Sequence, residues 1–271
     1  MRKPIVINDQ EKFFDLDSEI ERAADKDPYY KHATREVVAG FGWLGKLGSL
    51  LDYGCGVGQS LQQYFTVTDN YNCRVVGVDV STGAINKIKA RFNNTRYSFY
   101  KVSENNLEQL ANTSMEGAYI IHVLHHTTDH EDIFREIHSK LVHNGKLFIC
   151  DLTSNNLIIR FFRRVFILMP HFVKSKFNDD LVVDGAIPNK YKVNIALVKE
   201  QLERAGFIIE ETGCGHLFVF IFSWLGKLTG LSSCNIYLRL YGLLARLEDG
   251  LLRRRLFRKQ AELFYIRCIK A

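Results

Sequence analysis

Three glycines at alternate positions follow a short apolar run in LLDYGCGVGQSL, residues 50–61. The apolar run has the character of a buried strand that ends at Gly54, and QSLQQYF beyond it has helical spacing. A glycine turn between a strand and a helix is typical of backbone that lies against a phosphate or a nucleoside. The residues of this turn are therefore our candidate ligand contacts: Asp52, Gly54, Cys55, Gly56 and Gly58.

The spacing of the turn, and an acid beyond it, narrow the type of ligand. A dinucleotide fingerprint would need a third glycine where Gln59 stands, and a P-loop would need a lysine that the turn lacks. The next apolar run, CRVVGVDVS, ends at Asp79, where an acid at the tip of a second strand accepts hydrogen bonds from ribose hydroxyls. The pattern predicts a nucleoside without a 2′-phosphate. The alternative is that Asp79 caps the helix STGAINKIKARF.

Histidines and an aspartate follow the later apolar runs, at positions where general bases are found. GAYIIHVLHH contains His122, His125 and His126, and GKLFICDLT contains Asp151. The carboxyl ends of strands in open α/β sheets bind ligands, so these side chains could take a proton from a substrate. We predict His125, His126 and Asp151 as catalytic, with His216 after a later strand as a further candidate base. The alternative is that the histidines cap the turn or contact a cofactor.

Composition and cysteine spacing describe an ordinary globular chain without a metal site. Of the 271 residues, 46% are hydrophobic and 24% charged, which argues against disorder. The six cysteines are scattered without a C-x-x-C pair, and we expect them to be reduced. His126 and His130 have i, i+4 spacing, but no carboxylate-rich set accompanies them, so we expect no bound metal. No export leader is recognisable in MRKPIVINDQEKFFDLD, and we expect a cytoplasmic location.

Apolar runs alternate with helical segments, which predicts a β-α-β fold in a single domain of residues 1–271. The glycine turn, the acid that ends strand two, VLHH after strand four and LVHNGKLFICD before strand five together resemble the class I S-adenosylmethionine-dependent methyltransferases. The resemblance covers about residues 30–212 and the terminal strand 263–270. Within this class, the chain most resembles small-molecule methyltransferases such as those of quinone biosynthesis. It implies an α/β fold with a Rossmann-like, doubly wound sheet of seven strands, in which strand seven is antiparallel.

The resemblance also implies a cofactor and its contacts. S-adenosyl-L-methionine would be held by the glycine turn and Asp79, and by Val80, Glu104 and His122. The sequence departs from the family pattern at Ser103, where an acid near the adenine amino group is usual. Because the methyl group on a sulfonium is already activated, alignment of the reacting atoms accounts for most of the catalysis, and proton removal is secondary.

Two long insertions distinguish this chain from a minimal member of the family: residues 154–195 and 213–260. Both follow the carboxyl ends of strands, so we expect them to form a helical cap over the acceptor side of the pocket. Each contains a basic amphipathic helix, with these arginines beside an apolar face: Arg160, Arg163 and Arg164 in the first, Arg239, Arg246 and Arg253 in the second. Such helices either pack together as a cap or lie on an anionic membrane surface.

The cap favours an apolar acceptor. Residues 236–271 hold nine Lys/Arg against three Asp/Glu, a surplus equal to the net charge of +6 for the whole chain. We predict methyl transfer to an apolar or lipid-like small molecule, and we do not expect a nucleic acid partner because VLHH replaces the Asn/Asp-Pro-Pro-Tyr signature of base methylation. A non-catalytic cofactor-binding module and an RNA methyltransferase are the alternatives. Peripheral contact with the inner membrane surface and the oligomeric state are left open.

Overall fold

The computed structural model of the chain describes residues 34–102, 107–108, 110–127, 130–153, 193–217, 222, 225–226, 229–231, 234–252, 260–261 and 263–271. The strands are β1 (Ser49–Tyr53), β2 (Arg74–Asp79), β3 (Tyr97–Lys101), β4 (Met115–Ile121), β5 (Leu141–Leu152), β6 (Phe207–Gly215) and β7 (Leu263–Lys270). The helices are α1 (Arg35–Leu44), α2 (Gln59–Thr68), α3 (Thr82–Arg91), α4 (His130–Lys140), α5 (Ile195–Arg204) and α6 (Asn235–Leu252), with a 3₁₀ segment at Leu124–His126.

The described strands form one seven-stranded sheet in the order β3-β2-β1-β4-β5-β7-β6. β7 pairs antiparallel with β5 and β6, and the remaining neighbours are parallel. The predicted Rossmann-like sheet with an antiparallel seventh strand is confirmed. The strand order reverses between β1 and β4, whose carboxyl ends lie side by side with Tyr53 opposite Ile120. This reversal is where open α/β sheets bind their ligands.

Apolar layers cover both faces of the sheet, as a largely parallel sheet requires. On one face the helices α4 and α5 bury Phe134, Ile137 and Leu202 against the strands. On the other face α1, α2 and α3 bury residues that include Phe65 and Ile88. The strands are thereby held rigidly, and the loops at their carboxyl ends project from a fixed scaffold.

Helix α1 lies unusually close to the sheet because it presents a glycine to it. A Cβ atom at Gly40 would lie 2.0 Å from Cζ of Phe148, a buried residue of β5. At the next residue, the Phe41 ring packs edge-on against Tyr119 of β4, with 5.1 Å between the ring centroids. This packing places the first residues of α1, Arg35 and Glu36, at the carboxyl edge of the sheet, where they form part of the site described below.

Part of the second insertion belongs to the described structure. β6 continues to Gly215, three residues into the predicted insertion of residues 213–260, and α6 follows further along the chain. The Tyr241 side chain of α6 packs with Phe222, and Leu252 packs with Leu217. Among the described residues, no helix combines the length and apolarity that crossing a membrane requires. Four of the six predicted cap arginines lie outside the described residues: Arg160, Arg163, Arg164 and Arg253.

Candidate active site

The backbone of the glycine turn between β1 and α2 is tied to the neighbouring strand β2. The amides of Gly54 and Cys55 both donate to the carbonyl of Val78, at 2.8 and 3.0 Å. Gly54, Gly56 and Gly58 have φ angles of 78°, 49° and 86°, in the left-handed region that side chains disfavour. The turn therefore has a fixed shape, and its sequence must be glycine-rich to adopt it.

The three glycines differ in what a side chain would meet. A Cβ atom at Gly54 would lie 2.2 Å from Cγ2 of Val123, and one at Gly58 would lie 2.5 Å from Cε2 of Phe92. A Cβ atom at Gly56 would meet no protein atom within 4 Å. Gly54 and Gly58 are thus required by packing within the protein. Gly56 presents bare backbone on the open side of the turn, which fits close approach by a ligand.

Asp79 lies at the carboxyl end of β2, beside the turn. Its Oδ2 accepts the amide of Gly56 at 2.8 Å, and its Oδ1 accepts the amide of Ser81 at 2.9 Å. Ser81, rather than Asp79, is the N-cap of α3, because its side chain accepts the amide of Ala84 at 3.0 Å. Val80 lies between them and is half-buried. The structure therefore joins the predicted acid directly to the glycine that faces outward.

Asp52 lies beneath the turn and is almost fully buried. Its Oδ2 accepts the hydroxyl of Tyr119, on the adjacent strand β4, at 2.6 Å. Burial raises the pKa of Asp52 to about 7, the Tyr119 hydrogen bond opposes this change, and the nearby Asp79 adds to it. Burial also raises the pKa of the Cys55 thiol well above its ordinary value, so this cysteine is a packing residue.

A His–Asp pair joins the ends of β4 and β5. Nδ1 of His125 lies 2.5 Å from Oδ1 of Asp151, and both side chains are buried. Asp151 also accepts the amides of Leu124 and Leu152, each at 2.6 Å. Burial alone would raise the pKa of Asp151, but the neighbouring His125 and these hydrogen bonds hold it below its ordinary value. Two of the three residues predicted as catalytic are therefore brought into direct contact.

The other predicted histidines surround this pair. His126 packs its ring 3.9 Å from the ring of His125, measured between centroids, and the His122 ring lies 6.4 Å from it. His122 has a φ angle of 58°, rare outside glycine, and its amide donates to the carbonyl of Cys150 at 2.9 Å. Unusual backbone of this kind is common at functional sites, because the surrounding structure must hold it in place.

The imidazoles do not build a metal site within the described residues. Nε2 of His130 lies 2.9 Å from the carbonyl of Leu124 and 3.1 Å from that of Thr127, so it donates to backbone. In that part of the chain, no group of three or more His, Cys, Asp and Glu side chains could hold a metal ion. Glu104, predicted to contact the cofactor, lies outside the described residues.

A buried ionic network lies at the same carboxyl edge of the sheet. Oε2 of Glu36 lies 3.4 Å from Nε2 of His216, and its Oε1 accepts Nε of Arg35 at 2.7 Å. The guanidinium of Arg35 also lies 3.7 Å from the buried carboxylate of Glu248 on α6. Burial would raise the pKa of Glu36, but His216 and Arg35 hold it below its ordinary value. The network connects α1, the end of β6 and helix α6.

Sequence reasoning missed three residues of this region: Tyr119, Glu36 and Glu248. Each is a polar residue within an apolar or amphipathic run, in GAYIIHV, REVV and LLARLEDG respectively. That position was the available signal, since a buried polar group must find a partner. It could not have identified the partners themselves.

Comparison with known families now identifies the fold and its chemistry. Residues 51–149, from β1 to β5, match the family model described as a methyltransferase domain. Residues 51–149 of the chain carry a methyltransferase domain. The match confirms the methyltransferase resemblance predicted from the sequence. No curated protein sequence matches the chain.

Solved structures share the fold of this methyltransferase at low sequence identity. A phosphoethanolamine N-methyltransferase from Haemonchus contortus is 16% identical with a TM-score of 0.59, and the match covers 97% of this chain and 60% of that one. A geranyl diphosphate C-methyltransferase from Streptomyces coelicolor is 14% identical with a TM-score of 0.58, covering 93% and 85%. A cyclopropane synthase from Mycobacterium tuberculosis is 19% identical with a TM-score of 0.55, covering 96% and 94%. At these identities the likeness shows the fold alone.

Proposed function

We propose that this methyltransferase transfers a methyl group to an apolar or lipid-like small molecule. The observation that supports the proposal is an apolar cluster just beyond the end of β6, where Leu217, Leu252 and Ala261 bury one another. We interpret this cluster as the base of an apolar cap beside the acceptor. An apolar cap favours an apolar acceptor, because burial of apolar surface supplies roughly 25 cal/mol per Å². The named acceptor of the Streptomyces coelicolor enzyme, geranyl diphosphate, carries an apolar chain and supports the same class.

The methyl donor is held, in this proposal, by the turn and the acid beside it. Gly56 gives the donor close access to backbone, and Asp79 accepts hydrogen bonds from its ribose. The remaining proposed donor contacts among the described residues border this centre or support it from below: Asp52, Gly54, Cys55, Gly58, Val80 and His122. Glu104, outside the described residues, is proposed as a further donor contact. When bound, S-adenosylmethionine supplies a methyl carbon that its positively charged sulfur has already activated.

We assign removal of the acceptor proton to His125, oriented by Asp151. The short contact between Nδ1 of His125 and Asp151 places the imidazole proton on Nδ1, a tautomer assigned from the bonding. Nε2 is then the atom that takes the acceptor proton. His126, packed against the His125 ring, restricts its rotation and borders the acceptor.

Two rival functions make different predictions. An RNA methyltransferase would bind RNA with an affinity that falls steeply as salt is raised. A non-catalytic module would bind the donor without turnover.

We place the reaction in the cytoplasm, with contact at the inner membrane surface, because that is where a lipid-like acceptor would be encountered.

The deciding experiment uses the purified full chain with deuterated-methyl S-adenosylmethionine and a lipid extract from the source cell. We expect label in a chloroform-soluble product, identified by mass spectrometry as an extract component that has gained one labelled methyl group. A Gly56→Ala variant, with the donor site damaged, is the background control. Label confined to RNA or to water-soluble metabolites would overturn the acceptor class, and absence of any labelled product would favour the binding module.

A further inference from the structure

Helix α6 exposes a continuous apolar stripe. Four side chains, each between 49% and 71% exposed, form it: Ile236, Leu240, Leu243 and Leu247. With about 100° per residue, they fall within about 60° of one another on the helix surface. We call these four residues the α6 stripe. Four aligned apolar side chains over three turns differ from the isolated exposed leucines that soluble surfaces ordinarily carry.

The opposite side of α6 fixes the helix to the protein. Tyr241, Ala245, Glu248 and Leu252 are all at most 6% exposed and lie on that side. Glu248 lies 3.7 Å from Arg35 at the start of α1, and Leu252 packs with residues at the end of β6. The α6 stripe therefore points away from the body of the protein, while its helix adjoins the carboxyl edge that holds the active site.

The polar residues beside the stripe are basic. Arg239 and Arg246 are exposed, and helical spacing places both on the same flank of the stripe. Among the described side chains of α6 the one carboxylate, Glu248, is buried on the far side. An apolar stripe with arginines along its border has the pattern of a helix that lies in the interface of an anionic bilayer.

The same charges argue against a second copy of the chain as the occupant. The stripe residues have the 4-3-4 spacing of a coiled-coil seam, with Arg239 and Arg246 at the flanking g positions. A parallel pair of α6 helices would face these arginines with Leu244 and Leu251, and an antiparallel pair would face them with each other. Neither arrangement supplies a carboxylate, whereas anionic lipid phosphates would pair with both.

We propose that the α6 stripe docks the enzyme on an anionic membrane surface, with Arg239 and Arg246 contacting lipid phosphates. The inference rests on the proposed function, because docking through α6 would bring the acceptor edge to the bilayer surface. The affinity of the α6 stripe for lipid can nevertheless be measured without any acceptor.

Vesicle flotation of the full chain tests the surface directly, with neither donor nor acceptor present. Wild type should float with phosphatidylcholine vesicles that contain phosphatidylglycerol, and less so at high salt. Leu240→Glu with Leu243→Glu should lower the partition coefficient at least about tenfold, because two apolar side chains are lost from the bilayer. Arg239→Glu with Arg246→Glu should lower it at least about 25-fold, at roughly fivefold per basic residue.

A matched control also replaces two exposed apolar residues by glutamate, but on another surface. Leu197→Glu with Ile208→Glu changes residues of α5 and β6 that are 45% and 53% exposed, and should float like wild type. S-adenosylhomocysteine affinity equal to wild type in all variants would confirm that they are folded. Since flotation needs no acceptor, failure to methylate a lipid-like acceptor would refute the proposed function while leaving this inference standing.

Three results would overturn the inference. Wild type could fail to float on anionic vesicles, or the α6 variants could float as well as wild type. Sedimentation could show a dimer that the Leu240→Glu, Leu243→Glu variant breaks, which would make the stripe a subunit interface. Finally, the thiol introduced by Leu243→Cys could fail to react with maleimide in the absence of vesicles, as measured by peptide mass spectrometry. That result would mean that other parts of the chain cover the stripe.

Discussion

The turn glycines are required for two different physical reasons. At Gly54 and Gly58 a side chain would collide with Val123 and Phe92, so substitution there acts on folding. At Gly56 the protein leaves space, and the backbone amide is held by Asp79 at 2.8 Å. A substitution at Gly56 therefore separates ligand binding from packing better than one at any other residue of the turn.

We predict that Gly56→Ala raises the dissociation constant for S-adenosylhomocysteine about tenfold or more, because the new methyl group occupies the face that the ligand approaches. Calorimetric titration measures this. Gly45→Ala is the control: Gly45 has a φ angle of 71° and open space, and lies at the far end of α1. It should lose at least as much stability without losing affinity. Equal affinity in wild type and Gly56→Ala would remove the turn from the donor site.

The His125–Asp151 pair makes a second prediction at single residues. His125→Gln should lower kcat for acceptor methylation about 100-fold, near the lower limit for loss of a general base, while donor affinity stays unchanged. Steady-state kinetics and calorimetry separate the two effects. Thr127→Val, which removes a hydrogen bond to the carbonyl of Leu124 in the same segment, should retain turnover. Wild-type turnover in His125→Gln would reduce the pair to a structural hydrogen bond.

Among the elements, α1 connects the site to the core. Its last turn lies near the amino edge of the sheet, where Lys146 donates to the carbonyl of Trp43 at 2.8 Å. Its first turn carries Arg35 and Glu36 at the opposite, carboxyl edge. The distance between helix and sheet is set at Gly40, so a side chain there displaces the whole element.

Gly40→Ala should destabilise the fold by about 1–3 kcal/mol, the usual cost of overpacking a filled core. Gly42→Ala, in the same helix but exposed and with no atom within 4 Å of a new Cβ, should stabilise it by up to about 1 kcal/mol. Urea unfolding of both variants measures the contrast. If the two substitutions had the same effect, close contact at Gly40 would not be what positions α1.

At the scale of the whole molecule, most strands and helices could be predicted from the sequence, but the contacts between them could not. Apolar runs predicted β1, β2, β4 and β5 but not β3, and β7 was placed at its observed bounds, 263–270. The antiparallel position of β7 came from family resemblance, because periodicity gives no strand order. The His125–Asp151 pair depends on the register of β4 against β5, with Ile121 opposite Cys150, and one sequence does not encode that register in any local pattern.

The ionic network shows the same limit over a longer separation. Arg35 and Glu248 are far apart in sequence and meet because α1 and α6 both reach the carboxyl edge. The amphipathic pattern of α6 does not by itself predict that Glu248 is buried. Its burial becomes understandable only when α6 is packed against the rest of the protein. Residue types could thus be predicted as candidate acids and bases, whereas the assignment of partners required the assembled sheet.

Asp52 gives the whole fold a specific dependence on pH. Its folded pKa, about 7, lies above the ordinary value of 3.8 expected in the unfolded chain, chiefly because of burial. Between these two values the folded protein retains a proton that the unfolded chain releases. The stability that Asp52 contributes to the fold through this proton is therefore fully present below about pH 4, is lost as pH rises toward 7, and is absent above pH 7.

Asp52→Asn removes the titration and retains an oxygen to accept the hydroxyl of Tyr119. We predict that the free energy of unfolding of wild type, minus that of Asp52→Asn, falls as pH rises from 4 to 8, by as much as about 4 kcal/mol at 1.4 kcal/mol per pKa unit. Urea unfolding of both proteins at each pH measures the difference, in which the other titrating groups cancel. A difference independent of pH would mean that Asp52 is ionised in the folded protein throughout, and that the hydrogen bond from Tyr119 stabilises its charge more strongly than burial opposes it.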